Sequence, residues 1–413
     1  MYARLLRSQY WPGERIERYA QRKLARVLAS AERIPFYASR LGHGTADFSS
    51  LPVLLRSDVP ALNRSVRESR ADAPMSVDRS SGSSGMPVEF IFDAAHQRTR
   101  FAARIRYLRA HGWNPLQRTA WLVHLNFGST GSPDDVLAHQ RVIRARHFFA
   151  CPTHFDEQLA WLARVAPENL YTFPSNLDGL LDSMQRGGRV LPSLCRVFTG
   201  AEVVDDSLRE RARRILGLEL HDNYGSTEAF LAWQCVEGGY HVNAEHVLVE
   251  IVDPRGRPVG DGEMGKVVVT TLDNRLMPLV RYEIGDYAVA ARKACACGRT
   301  LPTIARVVGR ALNLFRLRDG RLVSPWPFIE PLKAERRLER FQLVQRDVDR
   351  FAVRYVAPGK LPPDGEDAIR SALASIAGSA AAVEFQRVDE LRRSASGKFM
   401  LTLSELSDLP ALR

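Results

Sequence analysis

The sequence predicts an α/β protein, with a large N-terminal domain of helix-flanked sheets carrying a β-rich subdomain and a small α+β C-terminal domain. Three observations carry this. Helical periodicities and short apolar strands alternate through the first half of the chain; from near Val242 strands joined by Pro/Gly turns replace them; past Gly309-Arg310 a hairpin, a helix and a strand follow. At 413 residues the chain is too long for one ordinary core, so two or three domains are expected. The boundary is placed after 309, giving residues 1–309 and 310–413, with the β-rich part at about 235–308.

The elements follow in order. Glu14 to Ser30 reads as a helix with Ile16, Tyr19, Ala20, Leu24, Val27 and Leu28 on one face. "IPFYASRL" and "LPVLLRSDV" read as short connecting segments, and Val88, Phe90 and Phe92 alternate as in a strand. Helix is expected over Ala94–Ala110, Asn176–Gln185 and Asp206–Leu216, and strand in "AWLVHL", "NLYTF", "LCRVFTG" and "LELHDNYG". "VLVEIVDPRGRPV" and "GKVVVTTL" supply the β-rich part, and "FQLVQRDVDRFAVRYV", Glu366–Ile376 and Ala382–Val388 the small domain.

Composition narrows the class. Hydrophobic residues at 45% and charged residues at 25% are ordinary for a soluble enzyme. No run reaches the roughly 18 apolar residues needed to span a bilayer, and arginines break the start where a secretory leader would need an apolar core. The net charge of +11 comes without a dense Lys/Arg block interleaved with aromatics, so nucleic acid is not an expected partner, whereas a basic enzyme attracts polyphosphates. Five cysteines in this length make no disulfide scaffold, which points to a reducing, cytoplasmic setting.

One stretch, "DRSSGSSGMPVEF", runs from serines and glycines straight into an apolar strand. Ser80, Ser81, Ser83 and Ser84 offer hydroxyls, and Gly82 and Gly85 let backbone N–H groups approach an anion. The Gly-Lys-Ser/Thr of a Walker A loop is absent, and the residues alone leave a flexible linker and a phosphate loop both open. Further along, "VFTGAEVV" holds Ala201 and Glu202, and "HDNYGSTEAF" holds Asn223, Tyr224, Gly225, Ser226, Thr227 and Glu228. "RYEIGDY" holds Arg281 and Asp286, "VVGRALNLF" Arg310, and "RRSASGKFM" Lys398. Singly, Glu228 reads as a surface carboxylate, Asp286 as a turn residue and Lys398 as a solvated tail lysine. Cys235-x5-His241 and Cys295-x-Cys297 are soft ligands of the types that hold structural zinc, or four ordinary buried residues. Cys151 and Cys195 read as core, and His124 as either an acyl-pocket or a core histidine.

In this order and spacing the motifs resemble the adenylate-forming superfamily of acyl-CoA synthetases, adenylation domains and luciferase, over nearly the whole chain. "IPFYASRL", "LPVLLRSD", "HVNAEHVLVEIVD" and "CACGRTLP" resemble its phenylacetate–coenzyme A ligase branch, whose metal-containing members also favour zinc on Cys235, His241, Cys295 and Cys297. The resemblance implies ATP-dependent conversion of a carboxylic acid, aromatic or arylalkanoic, to an acyl-adenylate, then transfer to the thiol of coenzyme A. It implies that the Ser80–Gly85 loop holds the β- and γ-phosphates, Thr227 the α-phosphate, and Glu228 a Mg²⁺ ion. Asp286 and Arg310 would meet the ribose, with Asn223 and Tyr224 facing the adenine and acyl site. The Ala201–Glu202 segment and Gly225–Ser226 would complete the nucleotide site. Lys398 would bridge carboxylate and α-phosphate.

Two departures stand out. Met86 occupies the position where the superfamily loop carries lysine, and Leu312 and Asn313 stand where the branch shows acidic hinge residues. They leave room for a relative that transfers the acyl group to an amine or a carrier-protein thiol. The rival from another class, a catalytically degenerate nucleotide-binding protein, is opposed by the retention of Glu228, Asp286 and Lys398.

Overall fold

The computed structural model describes residues 1–38, 40–41, 48–80, 88–123, 154–291, 294–310, 314–323, 325–338, 340–389, 391 and 401–406, and the backbone of 146–150. Ser81 to Gly85, Met86, His124, Cys151, Leu312, Asn313 and Lys398 lie outside the described residues. The chain divides into two compact units, with the break between Val307 and Val308.

The larger unit opens with a short helix, Tyr2–Ser8, and then helix Gly13–Ala31, which buries Ile16, Leu24, Val27 and Ala31 along one stripe. Helix Val59–Ser69 follows, burying Val59, Leu62, Asn63 and Val66. The strand pair β1 (Ser76–Arg79) and β2 (Glu89–Phe92) is antiparallel, with Arg79 opposite Glu89. Phe90, Ile91 and Phe92 are all buried, so β2 is covered on both faces instead of alternating in and out. Helix Ala94–Ala110 starts on Asp93, whose carboxylate accepts from the His96 amide at 2.8 Å.

Eleven strands form one sheet among the described residues. They are β3 (Thr119–Val123), β4 (Arg146–Ala150), β5 (Asn169–Thr172), β6 (Arg196–Gly200), β7 (Leu220–Gly225), β8 (Phe230–Gln234), β9 (Tyr240–Val242), β10 (Val247–Val252), β11 (Met264–Thr271), β12 (Tyr282–Ala291) and β13 (Thr303–Arg310). The spatial order is β10-β11-β12-β13-β9-β8-β7-β6-β5-β3-β4. From β4 to β7 neighbouring strands are parallel, and at β7–β8 the sheet turns antiparallel. Helices Phe155–Val165, Pro174–Gly187 and Asp206–Leu216 connect the parallel strands and pack on them through Leu159, Leu162, Leu177, Leu181 and Leu208. A parallel strand needs a crossover, and helices with one apolar stripe supply it. The antiparallel half shares a second core with the N-terminal helices, around Val27, Leu54, Leu62, Phe90, Val267 and Tyr282.

The smaller unit contains the short pair β14 (Phe315–Arg316) and β15 (Leu322–Val323) and a four-stranded sheet. That sheet runs β18 (Ala382–Arg387), β17 (Arg350–Val356), β16 (Arg340–Asp347), β19 (Thr402–Ser404). The β16–β17 hairpin is antiparallel and both outer strands join in parallel. Helices Trp326–Ala334 and Pro363–Ala377 complete its core, with Phe315, Phe328, Phe341, Phe351 and Leu373 buried together. The first of these carries Pro331 inside it, which is why the sequence shows no helix there. Cys195, read as a core residue, is exposed, because it sits just before β6 where the chain enters the sheet from the surface.

Candidate active site

The site residues of the larger unit gather at the carboxyl ends of β6 and β7, where open α/β sheets take their ligands. β6 ends at Gly200, where an added Cβ would stand 2.6 Å from the Asn223 amide nitrogen and 2.8 Å from the Tyr171 hydroxyl. Only glycine lets β6 and β7 bring these groups together, and Asn223 Nδ2 donates to Tyr171 Oη at 3.1 Å. The next residue, Ala201, has φ 68°, a left-handed conformation that costs an L-residue free energy and recurs at functional turns. Glu202 turns its carboxylate onto Ser175, accepting from the backbone N–H at 2.9 Å and from the hydroxyl at 3.1 Å, so it caps the helix Pro174–Gly187.

β7 brings Asn223, Tyr224 and Gly225 to this edge, and a tight turn leads to β8. The Ser226 N–H donates to the Ala229 carbonyl at 2.9 Å, which fixes Thr227 and Glu228 at the turn's tip. Glu228 is 4% exposed. The Thr227 carbonyl accepts from Arg100, whose same Nη1 also donates to Asp78 Oδ2 at 3.0 Å, tying the turn to the end of β1. Asp286, from β12, is buried and accepts from the Tyr224 hydroxyl at 2.8 Å. Asp222, one residue before Asn223, accepts from Thr199 at 2.8 Å and from Tyr240 at 2.6 Å. Its burial pushes the carboxyl up, while the two hydroxyls pull the other way.

Arg281, in the same motif as Asp286, is a structural clamp. It is 2% exposed, has φ 48°, and donates to the Leu51 carbonyl at 2.7 Å, the Gly256 carbonyl at 2.8 Å and Glu250 at 3.2 Å. Arg310 belongs to the smaller unit. Sequence reading passed over Tyr171 and Arg100, which come from a strand and a helix without motif residues.

The four soft ligands meet. Cys235 follows β8, and the turn closed by its N–H on the Gly239 carbonyl at 2.7 Å returns the chain to His241 on β9. β9 pairs with β13, with His241 opposite Thr303, which brings in the Cys295–Cys297 turn. Gly298, at φ 79°, closes that turn through its N–H to the Cys295 carbonyl at 3.2 Å. The ligand atoms of Cys235, His241, Cys295 and Cys297 all lie within 4.8 Å of one another. Cys235 and Cys295 sulfurs are 3.7 Å apart, and His241 Nε2 is 3.2 Å from Cys297 Sγ. A tetrahedral ion with Zn–S of about 2.3 Å sets S···S edges of about 3.8 Å, so the donor set fits zinc. Burial pushes the Cys235 thiol up to about 12 and the His241 imidazole down to about 4.

The family model described as "AMP-binding enzyme" matches residues 105–273. The chain is 27% identical to a phenylacetate-coenzyme A ligase of Thermus thermophilus over 74% of this chain and 73% of that one. It is 28% identical to the phenylacetate-coenzyme A ligase of Escherichia coli, over 45% of this chain and 43% of that one. Among solved structures, a 2-hydroxyisobutyryl-CoA ligase in the postadenylation state superposes with a TM-score of 0.75 at 18% identity, covering 96% of this chain and 93% of that one. Residues 105–273 thus match an AMP-binding enzyme domain, and the chain is similar to phenylacetate-coenzyme A ligases. No helix among the described residues is long and apolar enough to cross a membrane.

Proposed function

We propose that the chain joins a carboxylic acid, aromatic or arylalkanoic, to the thiol of coenzyme A in two steps. The acid attacks the α-phosphorus of ATP to give an acyl-adenylate and pyrophosphate, and the thiol then takes the acyl group and releases AMP. The observation that carries this reading is the convergence of Asn223, Tyr224, Thr227 and Glu228 with the buried, Tyr224-held carboxylate of Asp286, in a chain whose residues 105–273 match an AMP-binding enzyme domain.

In this reading Asp286 accepts the ribose hydroxyls, and Tyr224 keeps its carboxylate oriented for them. Arg310 assists at the ribose, and Asn223 faces the adenine and acyl site with Tyr171 behind it. Thr227 meets the α-phosphate on a turn that Arg100 steadies. The Ala201–Glu202 segment and the turn Gly225–Ser226 shape the pocket walls. The loop from Ser80 through Ser81, Gly82, Ser83 and Ser84 to Gly85 holds the outer phosphates. Glu228 is a buried carboxylate of the kind that suits Mg²⁺ beside phosphate oxygens. A bound Mg²⁺ would supply charge neutralisation at the phosphates. Lys398, from the smaller unit, would neutralise the like charges of the attacking carboxylate and the α-phosphate. Cys235, His241, Cys295 and Cys297 would hold a structural zinc, as free thiols of a reducing, cytoplasmic setting can.

The test is acid-dependent exchange of labelled pyrophosphate into ATP over a panel of aromatic and aliphatic acids. Coenzyme A, amines and a carrier protein are then offered as acceptors. Exchange stimulated by an arylalkanoic acid, and thioester formed with coenzyme A, are the expected results. Binding of ATP without exchange for any acid would replace the enzyme by a nucleotide-binding protein.

A further inference from the structure

We infer that Arg104 selects acids that carry a second carboxylate, taking that distal group on its guanidinium while the first is activated. The inference rests on the reading of this site as one that adenylates an acid. Arg104 lies on helix Ala94–Ala110, one turn after Arg100. Arg100 reaches the Thr227 carbonyl at 3.3 Å, so the next turn of the same helix face carries Arg104 about 6 Å further along. There its guanidinium carbon stands 5.8 Å from the centre of the Phe230 ring. Phe230 opens β8 and pairs with Gly225 at the end of β7. Tyr171 bears on the same guanidinium from β5. β5 and β8 flank β6 and β7 in the sheet, so Arg104 stands over the strand ends that carry Gly200 and Asn223.

No acid meets this guanidinium. The ionisable groups that bear on it are Tyr171, Arg100 and Tyr107, and among the described residues it has no hydrogen-bond or ion-pair partner. Arg104 is nevertheless half-buried, and burial lowers its pKa from the ordinary arginine value. Neighbouring buried arginines are matched. Arg106, two residues on, donates to Glu245 at 2.7 and 3.1 Å and to Asn243 at 2.7 Å. Arg281 has Glu250 at 3.2 Å. A charge drawn from water without a counter-ion is costly, and one ring face at that distance is a weak partner for it. The Tyr171 hydroxyl accepts from Asn223 at 3.1 Å and keeps its own proton to donate. A guanidinium fork and a phenolic O–H on one side of the site are complementary to a carboxylate.

The substrate class follows from the placement. The reacting carboxylate belongs beside Thr227, and Arg104 stands about one helix turn away from the arginine that holds that turn. A benzene ring or a short run of methylenes spans this interval between two carboxylates. A monocarboxylic acid would set its apolar end against the unmatched charge, whereas a dicarboxylic acid would neutralise it. A site built to pair a polar group discriminates strongly against the analogue that lacks it.

The experiment measures pyrophosphate exchange for pairs of acids on one skeleton, phenylacetate with 4-carboxyphenylacetate and hexanoate with adipate. The unaltered chain is compared with Arg104→Met and Arg104→Lys. The unaltered chain is expected to prefer the dicarboxylate of at least one pair about 10- to 100-fold in kcat/KM, as for one charged hydrogen-bonding partner. Arg104→Met is expected to remove that preference, chiefly through KM for the dicarboxylate, and Arg104→Lys to keep part of it, with KM for ATP the same in all three. Equal use of both members of each pair by the unaltered chain, or preference for the monocarboxylate, would overturn the inference. So would equal losses on both members in Arg104→Met, which would make Arg104 a strut, or a raised KM for ATP, which would place it at the nucleotide. If no acid supports exchange, calorimetry with 4-carboxyphenylacetate and adipate decides. Binding that Arg104→Met abolishes would keep the carboxylate site while the ligase reading falls, and absence of binding would overturn both.

Discussion

The Tyr224 hydroxyl donates to Asp286 Oδ2 at 2.8 Å, joining the last strand of the parallel half of the sheet to the longest strand of its antiparallel half. Both groups are buried, so removing either partner takes a buried hydrogen bond from the other. Tyr224→Phe is expected to raise the KM for ATP about fivefold, through a loosened carboxylate. Asp286→Ala is expected to raise it about 10- to 100-fold, with the ribose hydroxyls unpaired. Pyrophosphate exchange at varied ATP measures both, and a larger effect from Tyr224→Phe than from Asp286→Ala would reverse the proposed order of the two residues.

Glu228→Gln keeps shape and burial but removes the charge that suits Mg²⁺. Adenylation is expected to fall by orders of magnitude, since metal clamps supply several kcal/mol at a phosphoryl centre. Raising Mg²⁺ should recover only part of the rate. Wild-type exchange at ordinary Mg²⁺ would remove Glu228 from the site.

Lys398→Ala separates the half-reactions. Two anions meet during adenylation, and a cation between them matters far less once the acyl-adenylate exists. Exchange is expected to be nearly abolished and transfer from synthetic acyl-adenylate largely spared. A solvated tail lysine would leave both untouched.

For the metal cluster, elemental analysis is expected to give about one zinc per chain, with Zn–S distances of about 2.3 Å by X-ray absorption. Cys297→Ser and chelation are expected to lower the unfolding midpoint more than they alter the choice of acid, because a closed site adds folding free energy. Metal-free protein of undiminished stability would leave the four residues as ordinary side chains.

Stability should fall on mild acidification through His96. Its ring is fully buried, stacks on Phe92 at 4.7 Å and lies 4.6 Å from His246, and burial holds both imidazoles below their usual range. A histidine depressed in the fold binds its proton in the unfolded chain first. Stability is therefore fully present above about pH 6.5 and is lost as pH drops below it, by up to about 1.4 kcal/mol per pH unit for each proton. Urea unfolding at pH 7.5 and 5.5 should show that loss, and His96→Phe should reduce its slope. Equal stability at the two pH values would place the proton elsewhere.

Much of the fold was legible because each element repeats its period locally. The stripe of Ile16, Leu24 and Val27 marks helix Gly13–Ala31, and the apolar runs around Leu170, Val197 and Leu220 mark parallel strands. Helix Val59–Ser69 was hidden behind Pro52 and Pro60, although a proline in the first turn is compatible with helix, and β1 has too few apolar residues to register. The nucleotide motifs were legible because they are contiguous. Tyr171 and Arg100 were not, since only the strand order and the packing of helix Ala94–Ala110 bring them to the motifs. The Cys/His group lay between. Its residue types showed in sequence, but the β9–β13 register that closes it is a long-range pairing.

Asp222 bears on how the molecule comes apart. Its carboxylate takes hydroxyl protons from Thr199 on β6 and from Tyr240 on β9, passing over β8 to do so. The seam between parallel and antiparallel halves is thus cross-stitched by side chains as well as by the backbone ladder. Under force or denaturant the two halves should not peel apart at the change of strand direction. Amide protons of β6 to β9 should exchange last, and through the opening that unfolds the unit as a whole.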